Sequence, residues 1–234
     1  GSGLSGKWVF AYVEPSNPNY RPLGQAVKQW APLEDVTDVL NRLYPLPRNV
    51  DVRIDECGFI NAFYRPSGSE IVFCYELVQH LANTFATPRL SWDQDTRDAI
   101  EGALRFILWH EIGHALVHQL DLPITGREED AVDQLAALML IGSGEKGAQA
   151  ALSGVIAIQP DNNNFEEWEF AGEHSLGPQR LYNIACWIYG SNPQRYSGIV
   201  SSGMLPESRA VRCPGEYDRL QKAWTRILQP HTAD

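Results

Sequence analysis

No run of about 18 consecutive apolar residues occurs in the 234-residue chain, so the sequence offers no membrane-spanning helix. Positive charge is also in short supply: 19 Lys and Arg stand against 29 Asp and Glu, a formal net charge of -10. Phosphate neutralisation needs clustered cations, so no nucleic-acid partner is expected. Cysteine is scarce. None of the four, Cys57, Cys74, Cys186 and Cys213, has the C-x-x-C spacing of a zinc knuckle or dithiol redox site. Internal repeats and low-complexity tracts are absent as well.

What is present is ordinary for a globular chain, 44% hydrophobic and 21% charged, enough to bury a core. We expect one domain over residues 7–234, β-rich over 7–90 and helical over 91–234, with Gly1-Ser2-Gly3 set aside as an expression scar. The cysteines form one close pair and one later pair, which suggests disulfides Cys57–Cys74 and Cys186–Cys213. Each would remove on the order of 3 kcal/mol of denatured-state freedom. That would place the protein in an oxidising compartment, secreted or periplasmic. Four reduced thiols in a cytosolic protein are the alternative.

Along the chain, Trp8–Val13 is apolar and β-prone, followed by a Pro-rich connector. Pro32 opens a helix through Val36, Val39, Leu40 and Leu43. Val50–Ile54 alternates as a half-buried strand, and Phe59–Tyr64 and Ile71–Tyr75 read as two more, joined by a turn at Pro66-Ser67-Gly68. From Glu76 the pattern is helical: Glu76–Phe85, a long helix opened by a capping box at Ser91–Gln94 and stopped at Leu122-Pro123, then Arg127–Leu140, Glu145–Ile158, Pro178–Tyr189 and Glu207–Leu228. A loop is expected at Asp161–Asn164.

Within the long helix stands His110-Glu111-Ile112-Gly113-His114. Histidines four apart on a helix are rotated by about 40° and rise about 6 Å, so both rings can meet one zinc ion. A glutamate next to the first histidine is placed to activate water. Gly113 would let another backbone pass close beneath. A catalytic zinc needs a third protein ligand. The extended H-E-x-x-H-x-x-G-x-x-H pattern fails, because Val117 and Leu120 occupy its Gly and third His positions. His118 would need a bent helix to reach the ion and reads as a satisfied histidine near Asp121. Downstream, Glu129, Val132, Asp133, Ala136, Ala137 and Leu140 share one helix face, apolar but for two carboxylates that need partners. Metal for Glu129 and a ligand histidine's outer N–H for Asp133 would satisfy both. Glu128 is assigned instead to a capping box Thr125-Gly126-Arg127-Glu128. The blander alternative is that all three acids only favour a helix N-terminus.

His110-Glu111-x-x-His114 with Glu129-x-x-x-Asp133 downstream resembles the gluzincin branch of zinc metallopeptidases, typified by thermolysin. The longer run HEIGHALVHQLDLPITGREEDAVDQLAALML more closely resembles a bacterial family of putative metallopeptidases of unestablished function. That likeness extends from the Cys57 region to the second cysteine pair. By resemblance, His110, His114 and Glu129 match the metal positions and Glu111 the general base. Asn61-Ala62-Phe63-Tyr64 is similar to the stretch with which thermolysin-like enzymes pair an extended peptide along a sheet edge. An oxyanion donor is also expected. His174 is the first choice, with Arg180 and Tyr182 just after it as alternates.

The expected fold is α+β and zincin-like, a small N-terminal mixed β-sheet packed on the active-site helix and then a mainly helical lower half. The expected function is zinc-dependent hydrolysis of a peptide or protein substrate. A catalytically silent peptide-binding module and a zinc amidase acting on cell-wall material are the alternatives. Intact Glu111 speaks against the silent module.

Overall fold

In a computed structural model the described residues are 4–30, 33–85, 94–158 and 177–233. The fold is α+β, with a small four-stranded mixed sheet at the N-terminal end followed by helices. Strand β1 (Trp8–Tyr12) leads through helices α1 (Arg21–Trp30) and α2 (Glu34–Leu43) to β2 (Val50–Asp55), which lies parallel to it. The order across the sheet is β1-β2-β4-β3, where β4 (Glu70–Cys74) runs parallel to β2, and β3 (Ala62–Arg65) pairs antiparallel to β4 and forms an edge.

The pattern of side chains explains this order. Val50, Val52 and Ile54 of β2 are buried while the residues between them are exposed or half-buried, the period of a strand with one covered face. Ile71 to Cys74 of β4 are all buried, so this inner strand is covered on both faces. Helix α3 (Tyr75–Phe85) follows directly. Helix α4 (Gln94–Gln119) then runs beneath the sheet and packs against α3, β3, β4, α5 (Glu128–Gly142) and α6 (Glu145–Ala157). A helix covered on so many sides has to be apolar nearly all round. Ile100, Ala103, Leu104, Phe106, Leu108, Ile112, Ala115 and Leu116 are all buried. Helix α4 ends cleanly: Asp121 takes a left-handed φ of 48°, and the Leu122 N–H returns to the Val117 carbonyl at 3.0 Å, the pattern of a Schellman cap. Helix α7 (Gly177–Ser191), short helices α8 (Gly198–Ser201) and α9 (Glu207–Ala210), and α10 (Cys213–Leu228) complete the described chain.

Several boundaries differ from expectation for identifiable reasons. The Pro-rich connector contains α1, because Pro22 sits in the first turn, where proline's missing N–H costs nothing, and Leu23 and Val27 bury one face. The strand expected from Phe59 begins only at Ala62. Gly58 has a φ of 84°, and the Glu76 carboxylate accepts the N–H groups of Cys57 and Gly58, which holds the approach as a loop. The helix expected over Glu207–Leu228 is two helices, restarting at Cys213 with Pro214 in its first turn. The capping box at Ser91 and the loop at Asp161–Asn164 lie outside the described residues, as does Pro32. Both expected cysteine pairs sit at disulfide distance, with Cα atoms 5.4 Å apart for Cys57–Cys74 and 5.1 Å for Cys186–Cys213. Among the described residues no helix is long and apolar enough to cross a membrane.

Candidate metal centre

His110 and His114 project from the middle of α4 with ring centroids 5.0 Å apart. Glu129, on the first turn of α5, spans them: one carboxylate oxygen lies 3.0 Å from His110 Nε2 and the other 3.1 Å from His114 Nε2. These three donors could hold a metal ion, their ligand atoms all lying within 4.8 Å of one another. The close approach of the two helices depends on Gly113. A Cβ added there would lie 2.8 Å from the Val132 Cβ, closer than two such carbons can come. The absent side chain therefore lets α5 bring Glu129 up to the histidines. A second cluster, Cys57, Cys74 and Glu76, is also compact, but its sulfurs are joined to each other.

Each imidazole has its other nitrogen held by a carboxylate. His110 Nδ1 lies 2.8 Å from Asp133 and His114 Nδ1 lies 2.6 Å from Glu128. A carboxylate can only accept here, so Nδ1 of each ring carries a proton, and Nε2 donates to Glu129 when the ring is charged and is free to coordinate when it is neutral. Asp133 is buried and gripped in turn by Arg180 of α7, whose Nε and Nη2 donate at 2.7 and 2.9 Å. The role of Glu128 corrects the expected capping box. Helix α5 starts at Glu128 with Arg127 as its uncapped N-cap, so Glu128 cannot reach back as a third-position glutamate and bonds His114 instead.

Burial pulls the His110 imidazolium down, but Asp133 and Glu129 more than offset it and leave it raised to about 9. His114 is likewise raised: burial opposes protonation, and Glu129 and Glu128 outweigh it. Burial lifts the Asp133 carboxyl, yet bonds from His110 and Arg180 hold it down at about 2. Glu111, only 8% exposed beside the two rings, has its pKa raised by burial, opposed by His110, His114 and the Tyr64 backbone N–H. A carboxyl group raised in this way is a better proton acceptor at neutral pH than an exposed one.

The donors open onto a cleft of about 990 Å³ whose wall includes Asn61, Ala62, Phe63 and Tyr64. The register places Phe63 opposite Val72, and Cys74 N–H bonds the Asn61 carbonyl, so Ala62 and Tyr64 turn their backbone groups away from β4 toward the open edge. His118 also lines the cleft, and its Nδ1 meets the Tyr64 hydroxyl at 2.7 Å rather than Asp121. Tyr182 does not join them. It borders a separate hollow of about 810 Å³ with Arg209 and Arg212. Two residues apart on a helix means about 200° of rotation, so Arg180 and Tyr182 face opposite ways. Arg180 reaches the centre through Asp133, while His174 lies outside the described residues. The bond from Glu128 to His114 and the amide of Gln119 behind Tyr64 were not foreseen; a glutamate directly preceding the third donor was the one available signal for the former.

No curated protein and no solved structure matches the chain. Residues 12–228 match the family described as "putative metallopeptidase", and with two histidines, a bridging glutamate and a buried carboxyl group already drawn together, the chain belongs to that family.

Proposed function

We propose that the protein is a zinc-dependent peptidase of the gluzincin type, with His110, His114 and Glu129 as its metal donors and one zincin-like domain spanning residues 7–234. The family supports a metal-dependent hydrolase at the coarser level. The observation that carries the finer reading is the donor set: two imidazole Nε2 atoms and a carboxylate, each imidazole backed by a second carboxylate. Nitrogen donors with one carboxylate and an open position suit zinc. Zinc bound there supplies Lewis acidity, which makes water nucleophilic near neutral pH and polarises a carbonyl.

The chain's own residues do the rest. Asp133 and Glu128 hold the imidazoles in the tautomer that leaves Nε2 free to coordinate. The Glu111 carboxylate accepts the proton of the attacking water and passes it to the leaving amine. The edge of β3 receives the peptide as an added strand, offering the main-chain carbonyls of Ala62 and Tyr64, whose N–H groups meet the Asn61 side chain and Glu111, with Phe63 beside it. His174 remains the proposed oxyanion donor. Arg180 is assigned to holding Asp133, which removes it and the outward-facing Tyr182 from that role. The two cysteine pairs support a secreted or periplasmic location.

Metal analysis of the purified full chain, with a peptide-library digest of wild type and Glu111→Gln, tests the proposal. About one zinc per chain and cleavage lost in Glu111→Gln are expected. Absence of zinc at neutral pH sinks the metal assignment, and bound zinc without any cleavage favours the peptide-binding module.

A further inference from the structure

Gln119, the last residue of α4, is buried although its side chain is polar. Its amide meets three groups from the sheet side: Arg48 Nε at 3.3 Å, the Tyr64 hydroxyl at 3.0 Å and Ser69 Oγ at 3.1 Å. We infer that Arg48, Gln119 and Tyr64 form a relay that holds His118 as an Nε2–H donor to an acceptor oxygen of the substrate, a role in recognition that rests on the peptidase reading.

The polarity of the relay follows from which groups can only donate. A guanidinium has no acceptor, so the amide atom facing Arg48 is the oxygen; the flipped amide would set donor against donor. The amide NH2 therefore points at Ser69 and Tyr64. With its oxygen accepting from Gln119, the Tyr64 hydroxyl has its one proton left for the contact to His118 Nδ1 at 2.7 Å. Nδ1 is then an acceptor, and a neutral imidazole that accepts at Nδ1 carries its proton on Nε2. His110 and His114 hold the other arrangement, with Nδ1 protons that go to carboxylates; His118 is the opposite case, a ring with its N–H on Nε2.

His118 is exposed and lines the cleft that holds the candidate metal donors. It stands four residues beyond His114 on the same helix, about 6 Å along the axis. That is roughly two residues of an extended peptide. The group it would meet is an oxygen that accepts a hydrogen bond: a backbone carbonyl two residues from the metal or the carboxylate at a peptide's end. Gln119 and Tyr64 are positioning residues in this scheme, and they also pin the edge strand and the β3–β4 turn onto α4.

The test uses the zinc-loaded full chain. Long-range proton–nitrogen NMR of the imidazoles at about pH 8, above the ordinary histidine range, reports which nitrogen carries the proton. We expect His118 to carry it on Nε2, and Tyr64→Phe and Gln119→Leu each to let the Nδ1–H form emerge. In parallel, binding is measured for acetohydroxamate and for a hydroxamate carrying a dipeptide with a free or amidated end. His118→Phe should weaken the dipeptide probe about tenfold, the scale of one lost hydrogen bond, and leave acetohydroxamate unaltered. His118→Gln, which keeps an N–H in reach, should recover most of the loss. A loss confined to the free-acid probe assigns the carboxylate, and an equal loss with the amidated probe assigns the carbonyl. A proton on Nδ1 in the wild type overturns the relay. Equal weakening of both hydroxamates, or none, overturns the substrate role. If the wild type binds neither hydroxamate, the zinc reading and the substrate role fall together, and the tautomer alone decides the relay.

Discussion

The two histidines of the candidate centre have the same partners in kind and very different surroundings. His110 is backed by Asp133, which is buried and held by Arg180, so three elements, α4, α5 and α7, meet through one chain of charges. His114 is backed by Glu128, whose side chain is 47% exposed and sits at the start of α5. Buried charge pairs are costly to break because one partner stays stranded without water, whereas exposed pairs are screened and replaced by solvent. The His110 side therefore ties the site to the fold, and the His114 side adjusts it at the mouth of the cleft.

Removing Arg180 should break that contrast most severely. Arg180→Met leaves the Asp133 carboxylate buried and half-satisfied, with an expected loss of about 3–5 kcal/mol. For a chain of this size that is a fall of roughly 6–20 °C in the melting temperature. Differential scanning of the metal-free protein reads it, and a shift under 2 °C would contradict the structural role. Asp133→Asn should act on the metal itself, weakening zinc about 10–100-fold in a chelator competition. Glu128→Gln should cost less than tenfold in the same assay, since solvent can replace an exposed acceptor. Equal losses in the two variants would erase the comparison.

Acidity offers the gentlest probe. The raised pKa of His110 means the metal-free chain gains stability from the protonated ring, fully present below about pH 6.5 and lost as pH rises through about 9. Zinc requires the neutral ring, so the difference in melting temperature between zinc-loaded and metal-free protein should widen from pH 6.5 to 9. Asp133→Asn should flatten that trend and Glu128→Gln should leave most of it. At the acid end the sign reverses: Asp133, held at about 2, contributes stability present above about pH 3.9 and lost as pH falls through about 2.

Much of this site is legible in the sequence, because its parts are local. His110, Glu111 and His114 lie within one and a half turns of one helix, and helical periodicity alone puts them together. Glu129 and Asp133 were legible because carboxylates on an otherwise apolar face demand partners. The cysteine pairs followed from spacing, and the edge position of Ala62–Tyr64 came through resemblance. What failed depended on contacts between distant segments. Glu128 looked like a helix cap because a capping box and a ligand-backing glutamate have the same sequence, and only the position of His114 distinguishes them. Arg180 and Tyr182 looked interchangeable until the rotation of α7 separated them. The polar contacts of Gln119 with Arg48 and Ser69 span 71 and 50 residues, and no pattern in the sequence announces them.

The contact between Gly113 and Val132 sets a tolerance on the whole centre. Metal–ligand distances are held within about 0.2 Å of their preferred values. One methyl group at Gly113 would have to push Val132 back by several tenths of an ångström, and Glu129 lies three residues before it on the same rigid helix. Gly113→Ala thus changes neither a donor nor a charge, yet it would open the gauge between two helices by more than the coordination sphere can absorb. The dimension of the site is cut by a residue that never touches the ion.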